Sequence, residues 1–127
     1  MELNKFGPIL GFAIDLERRS AEFYEAAAVA PPSPDLTQSA AAARRRLSRL
    51  ERMRRELVNE MLLEPIAGLE QPPLPDLEVD RADRERIQEQ SSRLRQVRSQ
   101  FYAAASVKIA PVAPSVGRAF RRMADDA

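Results

Sequence analysis

The sequence predicts an all-α fold: an antiparallel bundle of three long helices and one short one. Three observations carry that expectation. Prolines cut the chain into four pieces, at Pro8, at Pro31, Pro32 and Pro34, at Pro65, Pro72, Pro73 and Pro75, and at Pro111 and Pro114. A proline removes a donor and clashes with the preceding helical turn, yet suits a first turn. Between the breaks glycine is almost absent, and the good helix formers Ala, Leu, Arg and Glu dominate. No segment sustains a period-two alternation, so strands are not expected. With 127 residues the chain has room for one domain, spanning 1–127.

The first helix is expected from about Pro8 to Val29, with a stripe of 3.6-residue period through Ile9, Phe12, Leu16, Phe23 and Ala27 that Arg19 and Ser20 interrupt. The second is expected over 34–63, with Ser33 as N-cap and Pro34 at the first position. Its stripe is Leu36, Ala40, Ala43, Leu47, Leu50, Arg54, Leu57 and Met61. The third runs over 81–109, capped by Asp80, with Ile87, Leu94, Val97, Phe101 and Ala105 inward and Ser91 in line. The fourth is short, 115–126, with Val116, Phe120 and Met123 inward.

The first three helices are each about 20 to 30 residues, roughly 30 to 45 Å long. Short first and third loops make their flanking helices antiparallel neighbours. The proline-rich connection 65–79 is long enough to cross the bundle. Two helical hairpins joined by a crossover result. An internal repeat agrees with this division. Residues 13–29 (AIDLERRSAEFYEAAAV) and 91–107 (SSRLRQVRSQFYAAASV) share Leu16/Leu94, Phe23/Phe101, Tyr24/Tyr102, Ala26/Ala104, Ala27/Ala105 and Val29/Val107. Both coincidence in alanine-rich helices and an old duplication of a helix pair account for it.

Composition excludes several kinds of chemistry. There is no cysteine and no histidine, so thiolate catalysis, disulfides, histidine triads and imidazole metal sites are impossible within this sequence. Twenty basic residues face nineteen acidic ones, for a net charge of +1, which predicts no general attraction to polyanions. The apolar stretch from Phe6 to Ile14 is too short to span a membrane, and its flanks make a poor signal peptide. A cytoplasmic, bacterial-type protein is the simplest expectation.

Residues 13–28, above all Leu16-Glu17 and Glu22-Phe23-Tyr24-Glu25-Ala26-Ala27, resemble the first helix of the rubrerythrin branch of the ferritin-like superfamily. The hairpin, crossover, hairpin order extends the resemblance over most of the chain. The resemblance implies a di-iron site, with a glutamate from each of two helices and a Glu-x-x-His pair from each of the other two. Glu17 matches the first-helix glutamate. Arg54 and Leu57 stand where the helix-two pair belongs, Arg95 matches the helix-three glutamate through the repeat, and the helix-four pair would fall at or beyond Ala127. At most one ligand remains, so no catalytic residue, metal or cofactor is expected. The expectation is instead a buried ion pair of Glu17 with Arg54 or Arg95 in place of the metal, since a guanidinium beside a carboxylate forms a fixed, bidentate pair. Solvent exposure of these groups is the plainer alternative.

Residues 44–55 hold seven arginines against one glutamate, Glu51. Arg44, Arg45, Arg46, Arg49 and Arg52 are candidates for an anionic partner, and a solvated face with pairs such as Arg52/Glu56 is the plainer reading. Tyr24 and Tyr102 are expected at helix boundaries with wet hydroxyls. The short fourth helix predicts an uncovered apolar strip, including Phe6, Ile9 and Phe12, open to a protein partner or a second copy. The reading is therefore a non-catalytic rubrerythrin-like protein acting as a structural or accessory subunit. The alternatives are a di-iron oxidase or peroxidase with an all-carboxylate site drawn from Glu51, Glu56 or Glu60, and an arginine-mediated nucleic-acid binder.

Overall fold

A computed structural model describes residues 2–28, 33–61 and 65–126, without the side chains of residues 2, 57–61, 65 and 67. Its elements in order are β1 (Glu2–Lys5), α1 (Phe6–Ala28), α2 (Pro34–Met61), β2 (Pro65–Glu70), α3 (Arg84–Ile109) and α4 (Pro114–Asp125). The chain is mostly helical, as its composition predicts. The expected helix ends at Val29 and Leu63 lie outside the described residues, as do the side chains of Leu57 and Met61.

Two short strands were not expected. β1 and β2 pair antiparallel, Glu2 opposite Glu70 and Leu3 opposite Leu69, with an irregularity before Lys5 meets Pro65. Over that interval β1 advances two residues and β2 four. The irregularity displaces Ile66 and Leu69 from a period-two pattern, yet both are buried with Leu3 in the core. α3 also begins later than predicted. Asp80 holds a turn instead, accepting from the Ala82 amide at 3.0 Å, and Asp83 caps the helix by accepting from the Arg86 amide at 3.0 Å. Ser33 caps α2 as expected, accepting from the Leu36 amide at 3.4 Å.

The ends of the helices that meet define their directions. Arg44 pairs with Glu25 and Arg18 with Glu51, so α1 and α2 are antiparallel. Tyr24 meets Ser91 while Phe12 packs on Phe101 with ring centroids 4.8 Å apart, so α1 and α3 are antiparallel too. α2 and α3 therefore point the same way and begin at the same end of the bundle. α3 turns back into α4 through residues 110–113, where a Cβ added at Gly117 would stand 3.0 Å from the Ala110 Cα, so glycine permits this close approach. The crossover lies along the bundle. Gln90 Nε2 donates to the Asp76 and Glu78 carbonyls at 2.9 and 2.8 Å, and Leu74, Leu77 and Val79 pack against the core.

The expected open strip is closed within the chain. Phe6, Ile9 and Phe12 are buried in the same cluster as Leu3, Ile66 and Leu69. The strand pair and the crossover add the apolar cover that a twelve-residue helix alone lacks. Among the described residues Val107, 64% exposed, is the large apolar side chain left in solvent, and no helix is long and apolar enough to cross a membrane.

Candidate functional site

The inward stripe of α1 carries Ile9, Ala13, Leu16, Ser20, Phe23 and Ala27, all buried. Ser20 satisfies its hydroxyl locally by donating to the Leu16 carbonyl at 2.7 Å, a bond that lets a small polar residue sit in a helical core. Next to Leu16 the helix turns a carboxylate inward. Glu17 is completely buried, and three side chains from two other helices meet it. Arg46 of α2 donates from Nε to Oε1 at 2.9 Å. Arg98 of α3 donates from Nε to both oxygens, at 3.3 and 3.2 Å. Tyr102, one turn further along α3, donates its hydroxyl to Oε2 at 2.5 Å. At the edge of the site, Asp126 at the end of α4 accepts from Arg46 Nη1 at 3.0 Å.

This arrangement balances its charge. Two guanidinium groups face two carboxylates: Arg46 bridges the buried Glu17 and the largely exposed Asp126, and Arg98 pairs with Glu17. An ionised carboxylate in such an interior is tolerated only when paired and hydrogen-bonded, and both Glu17 oxygens are engaged. The Tyr102 hydroxyl is held well above its usual pKa, first by burial and then by the adjacent Glu17 carboxylate. Burial pulls Arg46 toward deprotonation, but Glu17 and Asp126 outweigh it and its pKa is raised. The Arg98 guanidinium also lies over the Tyr102 ring, 5.8 Å from its centroid, and Tyr102 packs edge-on against Phe120 of α4.

Glu17 is thus in an interior ion pair, as the sequence suggests, but with different arginines. Arg54 and Arg95 are exposed, and Arg95 donates instead to the Ser91 hydroxyl at 3.3 Å. Arg46, read from the sequence as a surface contact, is buried. The rest of that run stays outside: Arg44 makes a two-point pair with Glu25, at 2.9 and 2.7 Å, and Arg45, Arg49 and Arg52 are exposed. Both tyrosines are buried rather than wet. Tyr24 shares a hydrogen bond with Ser91 at 3.3 Å.

A signal for Arg98 was present. Ile87, Ser91, Leu94, Arg98, Phe101 and Ala105 advance in steps of four and three, the spacing of one inward helix face. Reading apolar residues alone selects the half-buried Val97 and passes over its buried neighbour. The repeat misleads for a related reason. It aligns Glu17 with Arg95, whereas the second-half partner of Glu17 is Arg98, which aligns with Ser20.

These residues do not fit a di-iron centre. Guanidinium groups cannot ligate a cation, and the Glu17 oxygens already face three donors. Among the described residues no group of three or more His, Cys, Asp or Glu side chains is placed to hold a metal ion. In the all-carboxylate alternative, Glu51 is occupied with Arg18 and Glu56 is exposed, while the Glu60 side chain lies outside the described residues. No family model matches the chain, and no curated protein or solved structure matches it.

Proposed function

We propose that this chain is a non-catalytic protein of ferritin-like, rubrerythrin-like type, serving as a structural or accessory subunit of a larger assembly. One observation carries the reading: Glu17, the one buried carboxylate among the described residues, faces two arginines and a tyrosine drawn from α2 and α3. In the superfamily that the first helix resembles, the bundle interior gathers carboxylates around two cations. Here cationic side chains stand against a carboxylate in the interior, and they supply the positive charge a metal would bring. A fixed ion pair of this kind holds helices together and performs no redox or acid–base step at neutral pH. The order of hairpin, crossover and hairpin supports the same reading. Native mass spectrometry of the chain recovered gently from its host tests it. The expected result is a mass without transition metal, together with a defined protein partner. Two bound transition-metal ions per chain overturn the non-catalytic reading, and a chain recovered only by itself overturns the accessory role.

A further inference from the structure

Two clefts open along α2 and α3, one at the end of the bundle where both helices begin and one running from there to the buried network. The larger, about 450 Å³, is lined by Tyr24, Gln38, Arg45, Arg46, Arg95 and Arg98 among others. The second, about 350 Å³, includes Arg81 and Arg84. They share Asp35 and Arg95 as lining residues. Each volume suits a small molecule, for which pockets run roughly 300 to 1,000 Å³.

The charge around these clefts is uneven. Six arginines line them, against Asp35 and Asp126, with Glu17 behind. Asp126 is taken by Arg46, and Glu17 is shared between Arg46 and Arg98. Arg45 and Arg95 stand exposed on the wall of the larger cleft. Arg98 also lines that cleft although it is 2% exposed, and its Nη2 is buried with no hydrogen-bond partner. An unmet guanidinium donor in an interior is costly, and an oxyanion at the cleft floor would satisfy it. Guanidinium forks converging from two helices match the oxygens of a phosphate.

We infer that the cleft between α2 and α3 binds the phosphate group of a small phosphorylated molecule, with Arg45, Arg95 and the Nη2 of Arg98 as its donors. Binding there does not depend on whether the chain serves a larger assembly. Isothermal titration of the full chain with inorganic pyrophosphate, at low ionic strength, tests it. The expected outcome is one site per chain. Arg95→Gln and Arg45→Gln each weaken it by about tenfold or more, as loss of a charge-assisted hydrogen bond implies. Both residues are exposed, so these variants fold, and circular dichroism checks that they do. Asp35→Asn removes the opposing carboxylate from the shared wall and tightens binding. Arg49→Gln, an exposed arginine of α2 outside both clefts, leaves it unchanged. Absence of binding up to millimolar pyrophosphate overturns the proposal. Equal weakening by Arg49→Gln and Arg95→Gln also overturns it, because it reports diffuse attraction. So does a short single-stranded RNA that binds the chain, loses affinity in Arg49→Gln and is not displaced by pyrophosphate.

Discussion

Arg44 and Arg46 lie two residues apart on α2 and meet carboxylates of the same helix, α1, in opposite surroundings. Arg44 grips Glu25 at two points, with both side chains nearly half exposed. Arg46 reaches Glu17 where the guanidinium side chain is 6% exposed and the carboxylate is not exposed at all. Local geometry therefore does not separate the two pairs, and by hydrogen-bond count the exposed one is the better. The dielectric around them separates them. Water and salt screen the outer pair and also solvate either partner if the other is lost. The inner pair has no such substitute. Its members depend on one another, and on Arg98 and Tyr102, to keep ionised groups inside a bundle.

The largest expected effect is therefore at Glu17. Glu17→Gln keeps the shape but turns one of two accepting oxygens into an NH2 that faces donors, leaves Arg98 without its counter-charge, and leaves Arg46 with only Asp126. Urea unfolding should show a loss of about 3–5 kcal/mol, as for other broken buried pairs. Removing the whole charged set by Glu17→Leu, Arg46→Met, Arg98→Met and Tyr102→Phe should cost much less, because apolar replacements of similar volume are often neutral or stabilising. If the single change costs less than about 1 kcal/mol, the inner pair behaves like a surface pair and the contrast collapses.

A smaller effect separates the two regions by pH. Tyr102 has its pKa raised by burial and by Glu17, against an ordinary value of 10.0. The folded chain then keeps a proton that the unfolded chain releases. The associated stability is complete below the unfolded pKa and is lost as pH rises above it, by about 1.4 kcal/mol per pH unit. Tyr102→Phe removes a donor to a buried carboxylate and should cost about 1–3 kcal/mol near neutral pH. Because the variant lacks this titration, its deficit should narrow between about pH 9 and 11. Parallel stability curves over that range would remove Tyr102 from the buried network.

What was legible in the sequence follows the same division between apolar and charged positions. The stripes of Ile9, Phe12, Leu16, Phe23 and Ala27, and of Val116, Phe120 and Met123, are all buried, because apolar burial is non-directional and period alone selects the face. Glu17 was expected in the interior only through its match to the first-helix ligand glutamate of the family that residues 13–28 resemble, with solvent exposure as the alternative. Its partners were not. Arg46 is one of three consecutive arginines, and periodicity alone does not tell which of them turns inward. Arg98 occupies an apolar-phase position, but a stripe drawn through apolar residues takes the adjacent Val97 in its place. The strands escaped for another reason. β1 has four residues and β2 six, with an irregular register, so neither is long enough to show an alternation. Their role depends on Leu3 and Leu69 pairing across 66 positions of sequence, and local patterns hold no information about such a meeting.

The smallest effect belongs to the outer pair. Glu25 has its pKa lowered, first by the hydrogen bond from Arg44, with burial acting in the opposite direction and the Arg44 charge adding to the lowering. The sign is the reverse of that at Tyr102: the stability from this pair is present above the unfolded carboxylate pKa and is lost as pH falls through the lower, folded one. Arg44→Ala should therefore cost less than about 1 kcal/mol at neutral pH, and less again when salt is added. The difference from the parent should shrink toward zero in acid. Glu17→Gln removes a charge that is itself fully buried, where screening is weaker, and should keep more of its deficit in the same salt titration. A double-mutant cycle on Arg44 and Glu25 at low and high salt measures the coupling directly. Coupling that is large and insensitive to salt would mean that bidentate geometry matters more than exposure. The ranking of the two arginines would then rest on hydrogen-bond count and not on burial.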